Sequence, residues 1–321
     1  MYAVPFVSDD PLLAVIRPPG AARFRALVGI GADEPVRGDF SGWTKLVLLT
    51  DELAVLFPRD HIRAGWLGQE IEALQAIAPI GLAEAPTLVG IFHEEEISAY
   101  DFVVERRLGG EMLDRCVRDI TADQLGDVLE QVARLAARWH IADPGVLATR
   151  PRRTQPQQAF VDDLLLPGGP TAVDADLTEH ERAAFEGALL RIRSLAPVLA
   201  HGDLHEGQIL VDENLKVTGI LDWQAARVNH PFTDFDLGEW GTGAWRAHRR
   251  HFPELRRRMW RAYAAGRGFD DDLADDFELF WAVVHAHRWP ESVYVGNEVT
   301  GTRAEARAAV KNAAERVTPD R

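Results

Sequence analysis

The sequence predicts an α+β fold, with strands gathered in the first third of the chain and helices over most of the rest. Three observations carry this. Lys45-Leu-Val-Leu-Leu-Thr50 and Leu53-Ala-Val-Leu-Phe57 are apolar, β-branched-rich runs that flank Asp51-Glu52, the pattern of a tight hairpin. From Thr121 onward apolar residues recur at helical spacing behind two capping boxes, Thr121/Gln124 and Thr178/Glu181. Beyond Trp240, residues Trp260, Phe277, Phe280, Trp281 and Val284 are spaced as the core side of further helices.

In chain order, Arg37-Gly-Asp-Phe-Ser-Gly42 reads as a polar turn ahead of the hairpin, and Pro58 ends the second strand. A helix is expected over Gly68–Ala78, where Ile71, Leu74 and Ile77 share a face. Phe102-Val-Val104 is a short apolar strand, and Leu108-Gly-Gly110 breaks the pattern. After the first capping box, Leu125, Val128, Leu129, Val132, Leu135, Ala136 and Trp139 trace one helix face. The loops Arg150–Pro156 and Leu166–Pro170 come before the second capped helix, which runs through Phe185, Leu189 and Ile192. Gln208–Val211 and Val217–Leu221 read as strands joined by Asp212-Glu-Asn214.

Composition narrows the function. The chain has 321 residues, room for about two domains at about 150 residues each. Its 46% hydrophobic and 26% charged content is that of a folded globule. A net charge of -15 argues against a nucleic-acid binder, which needs clustered cations for phosphates. It is compatible with a cationic small-molecule partner, although a solvated acidic surface is the commoner reason for such a charge. Cys116 is the sole cysteine, so no intramolecular disulfide can form and a reducing compartment fits. No apolar run reaches the roughly 20 residues of a membrane span, and Met1–Gly20 lacks a basic region followed by an apolar block. A soluble cytoplasmic protein with no membrane partner is the expectation.

The chemistry lies in His201-Gly-Asp-Leu-His-Glu-Gly-Gln-Ile-Leu-Val211 and Gly219-Ile-Leu-Asp-Trp223. Asp203 sits on a Gly-bounded loop, Gln208 at a strand entrance, and Asp222 at the end of the returning strand. A hairpin brings Gln208 and Asp222 to one end of its ladder. Two carboxylates and an amide oxygen together suit a hard cation such as Mg²⁺. Taken alone, Asp203 also fits a turn former and Asp222 a cap. A third reading places His201, Asp203 and His205 on one face of a strand as Zn²⁺ or Mn²⁺ ligands of a metallohydrolase, although Gly202 and Gly207 favour a loop.

His201-Gly-Asp-Leu-His-Glu-Gly-Gln-Ile-Leu and Ile220-Leu-Asp-Trp223 resemble the aminoglycoside phosphotransferase and choline-kinase-like family. Asp222-Trp-Gln-Ala-Ala-Arg-Val-Asn-His-Pro231 is similar to its macrolide phosphotransferase branch, and the resemblance runs from the Gly42 region to about Trp240. It implies a protein-kinase-like bilobal fold, with a small β-rich N-lobe over residues 1–104 and a larger helical C-lobe over residues 105–321. It implies transfer of the γ-phosphoryl of ATP or GTP, with Mg²⁺, to a hydroxyl of a small molecule such as an aminoglycoside, a macrolide or an amino alcohol. By the same resemblance Asp203 is the catalytic base, Gln208 and Asp222 are the metal ligands, and Asp234 is a structural partner of the catalytic loop. Glu70 is the acid on the N-lobe helix. Glu105 to Arg107 form the hinge that meets the base through backbone groups, and Ser41 and Gly42 let backbone N–H groups approach the phosphates.

The chain departs from that family in two places. Gln208 stands where Asn is usual. More seriously, aligning the hairpin on Phe57-Pro-Arg59 puts Leu56 where the family has a phosphate-binding Lys or Arg. A unit-charge contact near 4 Å is worth roughly 4 kcal/mol at an effective dielectric of 20, so an unreplaced loss suggests a nucleotide-binding pseudokinase. Lys45 on the neighbouring strand is a substitute of the kind found in the with-no-lysine protein kinases. With Thr44 facing inward, however, alternation points Lys45 away from the nucleotide; Arg59 and Arg63 are further candidates. The acceptor pocket is expected from Ala244–Val317 and Arg150–Leu195, where Asp270–Asp272 with Asp275 and Asp276 either attract an amine or simply form a solvated helix start.

Overall fold

The computed structural model describes residues 16, 18–31, 33–145, 147, 156–165, 168–169, 173, 176–236, 244–269, 273–292 and 303–317. Trp240 and Asp270–Asp272 lie outside these, as do most of the loops expected over Arg150–Pro156 and Leu166–Pro170.

Helix α1 (Pro18–Val28) comes first, followed by strands β1 (Arg37–Asp39), β2 (Lys45–Leu49) and β3 (Leu53–Pro58). Helix α2 (His61–Ile77) and strands β4 (Leu88–Phe92) and β5 (Phe102–Arg106) follow. The five strands form one antiparallel sheet in the order β1-β2-β3-β5-β4. The β2–β3 hairpin is the one expected: Thr50 N–H donates to Leu53 O at 2.9 Å, and the Thr50 hydroxyl accepts from Glu52 and Leu53 N–H. Alternation then splits the sheet into two faces. Leu48, Val55, Phe57, Phe102 and Val104 pack against Phe24 of α1 on one side. Leu56 and Val103 pack against Leu67 of α2 on the other.

Two expected boundaries move. Arg37–Asp39 is strand rather than turn, pairing with Val47–Leu49, because an edge strand needs ladder bonds along one side only. The polar turn is confined to the residues after it. Helix α2 starts at His61, well before Gly68, because the Asp60 side chain caps it by accepting from Ile62 and Arg63 N–H, each at 2.9 Å.

The remainder is mainly helical. Strand β6 (Glu111–Met112), α3 (Leu113–Cys116), α4 (Ala122–Trp139), α5 (Pro156–Leu165) and α6 (Glu179–Ile192) come first. Strands β7 (Val198–Ala200), β8 (Ile209–Val211), β9 (Val217–Ile220) and β10 (Arg227–Asn229) follow, then α7 (Phe252–Arg267), α8 (Ala274–Ser292) and α9 (Arg303–Ala314). Two small sheets, β6-β8-β9 and β10-β7, sit among these helices. Both capping boxes form as read. The aromatic residues build the core: Phe232 meets Phe277 edge-on at 4.7 Å, and Phe277 stacks on Trp260 at 5.5 Å. Each such fully buried apolar side chain contributes roughly 1.5–3 kcal/mol. Among the described residues no helix is long and apolar enough to cross a membrane.

Candidate active site

Strand β7 delivers the chain into His201-Gly202-Asp203, a loop held from beneath. Asp234 accepts His201 N–H at 2.7 Å and Gly202 N–H at 2.8 Å, and its Oδ2 also faces His140 Nε2 at 3.0 Å. Gly202 has φ +82°, and a Cβ there would collide with the Ala225 carbonyl and the Arg227 guanidinium. This position therefore requires glycine on two counts.

The His201 ring has both nitrogens engaged. Nε2 lies 2.8 Å from Leu221 O, to which it donates, and Nδ1 accepts from Asp203 N–H at 3.4 Å. Burial keeps the ring below its ordinary pKa, hence neutral. His205 Nδ1 accepts from Gly207 N–H at 3.0 Å, capping the short turn that ends at Gln208, so strand β8 begins one residue later than expected. With residues 201–205 in a loop and both rings bound to the backbone, the metallohydrolase reading is corrected: no shared strand face forms. Among the described residues no three His, Cys, Asp or Glu groups assemble as a metal site.

Across from this loop, Asp222 follows β9 in a left-handed conformation, φ 63° and ψ 59°, a strain of order 1 kcal/mol for a non-glycine residue. Lys45 Nζ reaches Asp222 Oδ1 at 2.6 Å and Glu70 Oε2 at 2.6 Å. Burial opposes the Lys45 charge, but Glu70 and Asp222 outweigh it and hold the ammonium above its usual range. Glu70 is 1% exposed. Burial pushes its pKa up against the pull of Lys45, and it also accepts from Trp223 N–H. Gln69 ties the same helix to the C-terminal part, donating to Ala226 O at 2.7 Å.

Lys45 therefore points into the cleft, opposite to the expectation drawn from Thr44. Register explains why. Val47 stands across from Leu56 and Lys45 across from Pro58, so Lys45, Val47 and Leu56 share the face that looks at α2. Thr44 lies before the strand and does not set its alternation. The two arginines are committed elsewhere. Arg59 Nε donates to Gly42 O at 2.8 Å and also bonds Phe40 O, bracing the β1–β2 turn. Arg63 pairs with Asp60 at 2.6 Å and lies 4.8 Å over the Trp43 ring.

Other expected residues fall as follows. Ser41 N–H and Oγ both bond Asp39 Oδ1, at 3.0 and 2.6 Å, and the Gly42 carbonyl is the one that Arg59 holds. Arg106 N–H donates to Thr87 O, Arg107 N–H to Glu52 O, and the Arg107 guanidinium to Thr50 O at 2.7 Å. What faces the cleft at this end of β5 is the Glu105 carboxyl itself. Burial, Glu70 and Asp222 push it up to about 8 against Lys45. Asp203 is exposed at its rim, yet desolvation of its carboxyl and the charge of Asp222 raise it to about 7, with Arg227 opposing.

The donor set suits Mg²⁺. Gln208 Nε2 as placed lies 3.2 Å from both His205 Nε2 and Asp222 Oδ2. Since His205 Nδ1 accepts, its Nε2 carries the proton, and an amide oxygen is the proper partner there; amide orientation follows from such networks. Turned that way, Gln208 presents an oxygen 3.2 Å from Asp222 Oδ2, and these two side chains would hold a hard cation. Gln224 Nε2 also reaches Asp222 Oδ2 at 3.2 Å, and its Oε1 is buried without a hydrogen-bond partner among the described residues. Neither Gln224 nor the inward turn of Glu105 carries a local sequence signal: the first depends on where the chain bends after β9, the second on which face of the sheet packs against α2.

A profile of the phosphotransferase enzyme family matches residues 34–276, which span this whole arrangement. The GDP complex of wild-type aminoglycoside 2'-phosphotransferase-IIIa superposes with a TM-score of 0.54 at 16% identity, covering 92% of this chain and 97% of that one. The streptomycin-ATP-APH(2")-IIa ternary complex does so at 0.52 and 13%, covering 95% and 98%. At such identities the likeness speaks for the fold, which is protein-kinase-like. In sequence, the uncharacterized protein YcbJ of Bacillus subtilis (strain 168) is 56% identical over 39 residues, 12% of this chain and 13% of that protein. The profile covers well over half of the chain and the fold agrees with it, so the protein belongs to the phosphotransferase enzyme family.

Proposed function

We propose that the protein moves the γ-phosphoryl group of a nucleoside triphosphate to a hydroxyl of a small molecule. The observation that carries this reading is the buried Lys45 ammonium, 2.6 Å from both Glu70 and Asp222. It supplies, from β2, the cation whose lack at Leu56 motivated the pseudokinase alternative.

In such a transfer the protein positions groups and neutralises charge. Lys45 contacts the donor's phosphates while Glu70 keeps the ammonium in place. Asp222 and Gln208 would hold Mg²⁺, which would supply charge neutralisation at the phosphates. Asp203 orients the acceptor hydroxyl. As the bond from the γ-phosphorus to its bridging oxygen breaks and the new P–O bond forms, Asp203 takes the hydroxyl proton, and the nucleoside diphosphate leaves with the bridging oxygen. A carboxyl held near 7 is matched to that task at neutral pH. Asp234 acts beneath the loop by pinning the His201 and Gly202 N–H groups.

The acceptor class follows from relatedness: the solved relatives include complexes with streptomycin, kanamycin and gentamicin, and an amine-bearing acceptor suits a chain of net charge -15. The test is turnover of ATP or GTP with Mg²⁺ against aminoglycosides, macrolides and amino alcohols, read by phosphorus resonance. Phosphoryl transfer to one acceptor class, abolished by Asp203→Asn with nucleotide binding intact, is expected. Turnover that survives Asp203→Ala refutes the assignment.

A further inference from the structure

Arg227 opens β10 opposite Ala200, the last residue of β7 before the His201-Gly202-Asp203 loop. It is 7% exposed, and its guanidinium is directed at the two segments that carry the acids of the site. Nη1 donates to Gly202 O and to Ala225 O, each at 3.3 Å, which ties the residue before Asp203 to the turn after Asp222. The Cβ that Gly202 lacks would collide with that same Nη1. The counterion is Asp162 on α5, 3% exposed, with Oδ1 3.8 Å from Arg227 Nη2 and accepting from Asn229 Nδ2 at 2.7 Å. Arg227 and Asn229 stand two apart on one strand, so they share a face and meet one carboxylate. At 3.8 Å the ions attract without a hydrogen bond. Arg227 Nε and Nη2 and Asp162 Oδ2 are buried with no hydrogen-bond partner among the described residues. For stability alone such a pair is a poor device, since apolar residues of like volume often do as well or better. What it does provide is a cation that never loses its proton, fastened to the peptide next to Asp203.

We propose that Arg227, held by Asp162, is a positioning residue for the transfer: it locks the Asp203 loop to the turn after Asp222 and sets a permanent positive charge near the base. The inference rests on the phosphotransfer reading above. The charged groups that bear on Asp203 are Asp222, after β9, and Arg227, from β10; Asp162 faces Arg227 from α5. Asp222 disfavours the ionised base and Arg227 favours it, so Arg227 offsets the neighbouring acid that the site needs for its cation. Asp162 in turn tempers Arg227. The three charges form a graded series from α5 to the loop, and changing either of the outer two moves Asp203 in a direction fixed by sign. Lysine in place of Arg227 retains the charge and loses the planar fork that spans the two carbonyls.

Asp203 is titrated directly in the full chain, isotope-labelled at the aspartate carboxyls and read by carbon resonance, with Asp203→Asn identifying its signal. Transfer kinetics on the acceptor found by the panel above run beside it. Arg227→Gln should raise the Asp203 midpoint by about half a pH unit or more. It should also lower kcat about tenfold or more, with KM for the donor within about twofold of wild type. Arg227→Lys should hold the midpoint near wild type while kcat recovers only in part. Asp162→Asn keeps an oxygen for Asn229 and should move the midpoint the other way, because Arg227 then acts unopposed. A merely structural pair would not give shifts of opposite sign. A midpoint that Asp162→Asn leaves unmoved, or shifts in the same direction from both neutral variants, overturns the proposal, and Asp162→Asn decides it alone should Arg227→Gln not fold. Wild type that binds no nucleotide and transfers to no acceptor overturns the phosphotransfer reading instead, whatever the titration shows.

Discussion

Replacing Lys45 by methionine removes the cation that contacts both Glu70 and Asp222. Two losses follow. Breaking a buried ion pair by deleting one partner costs about 3–5 kcal/mol of stability, here at the low end because burial already favours the protonated form of Glu70. The donor's phosphates also lose a contact worth roughly 4 kcal/mol at an effective dielectric of 20, on the order of a hundred- to thousandfold in kcat/KM. The variant Lys45→Met/Leu56→Lys isolates the second loss. Leu56 pairs with Val47, two residues along from Lys45 on the same face, so an ammonium on position 56 starts about 7–8 Å from the Lys45 backbone, within a lysine side chain's reach. Steady-state kinetics with the donor varied, beside thermal melts of all variants, should show the single variant crippled and the double variant regaining at least about tenfold in kcat/KM. A Lys45→Met enzyme within about threefold of wild type in kcat/KM would refute the assignment of Lys45, since a phosphate contact of that size cannot be so cheap.

Three further outcomes are expected. Because the Asp203 carboxyl titrates at about 7, kcat/KM for the acceptor should rise with pH through that value; a flat profile counts against Asp203 as the base. Glu105 is raised in the fold, to about 8, so the native state binds its proton more tightly than the unfolded chain does. Its contribution to stability is thus present at acid pH and fades as pH climbs towards about 8. Glu105→Gln should therefore melt above wild type in alkaline buffer, by on the order of 1 kcal/mol or more, with the gap closing at acid pH, as calorimetry would show. Gly202→Ala forces a Cβ against the Ala225 carbonyl at positive φ and should cost about 1–3 kcal/mol in chemical denaturation, with loss of transfer; an unaltered midpoint would show that the loop relaxes.

The sequence by itself determined whatever depends on neighbours along the chain. The β2–β3 hairpin was legible because two apolar runs flank Asp51-Glu52, and helices α4 and α6 because their capping boxes precede a periodic apolar face. The meeting of Gln208 with Asp222 was legible too, since a tight hairpin returns its second strand beside the start of its first. Only the tertiary structure decided which face of the sheet each β2 residue joins. The packing of α1 on one side and α2 on the other selects that face, and so turns Lys45 into the cleft beside Leu56. The same choice turns the Glu105 carboxyl inward, although its sequence surroundings read as a hinge. Strand periodicity is two, so a chain read locally has two equivalent assignments of inside and outside, and only partners distant in sequence break the tie.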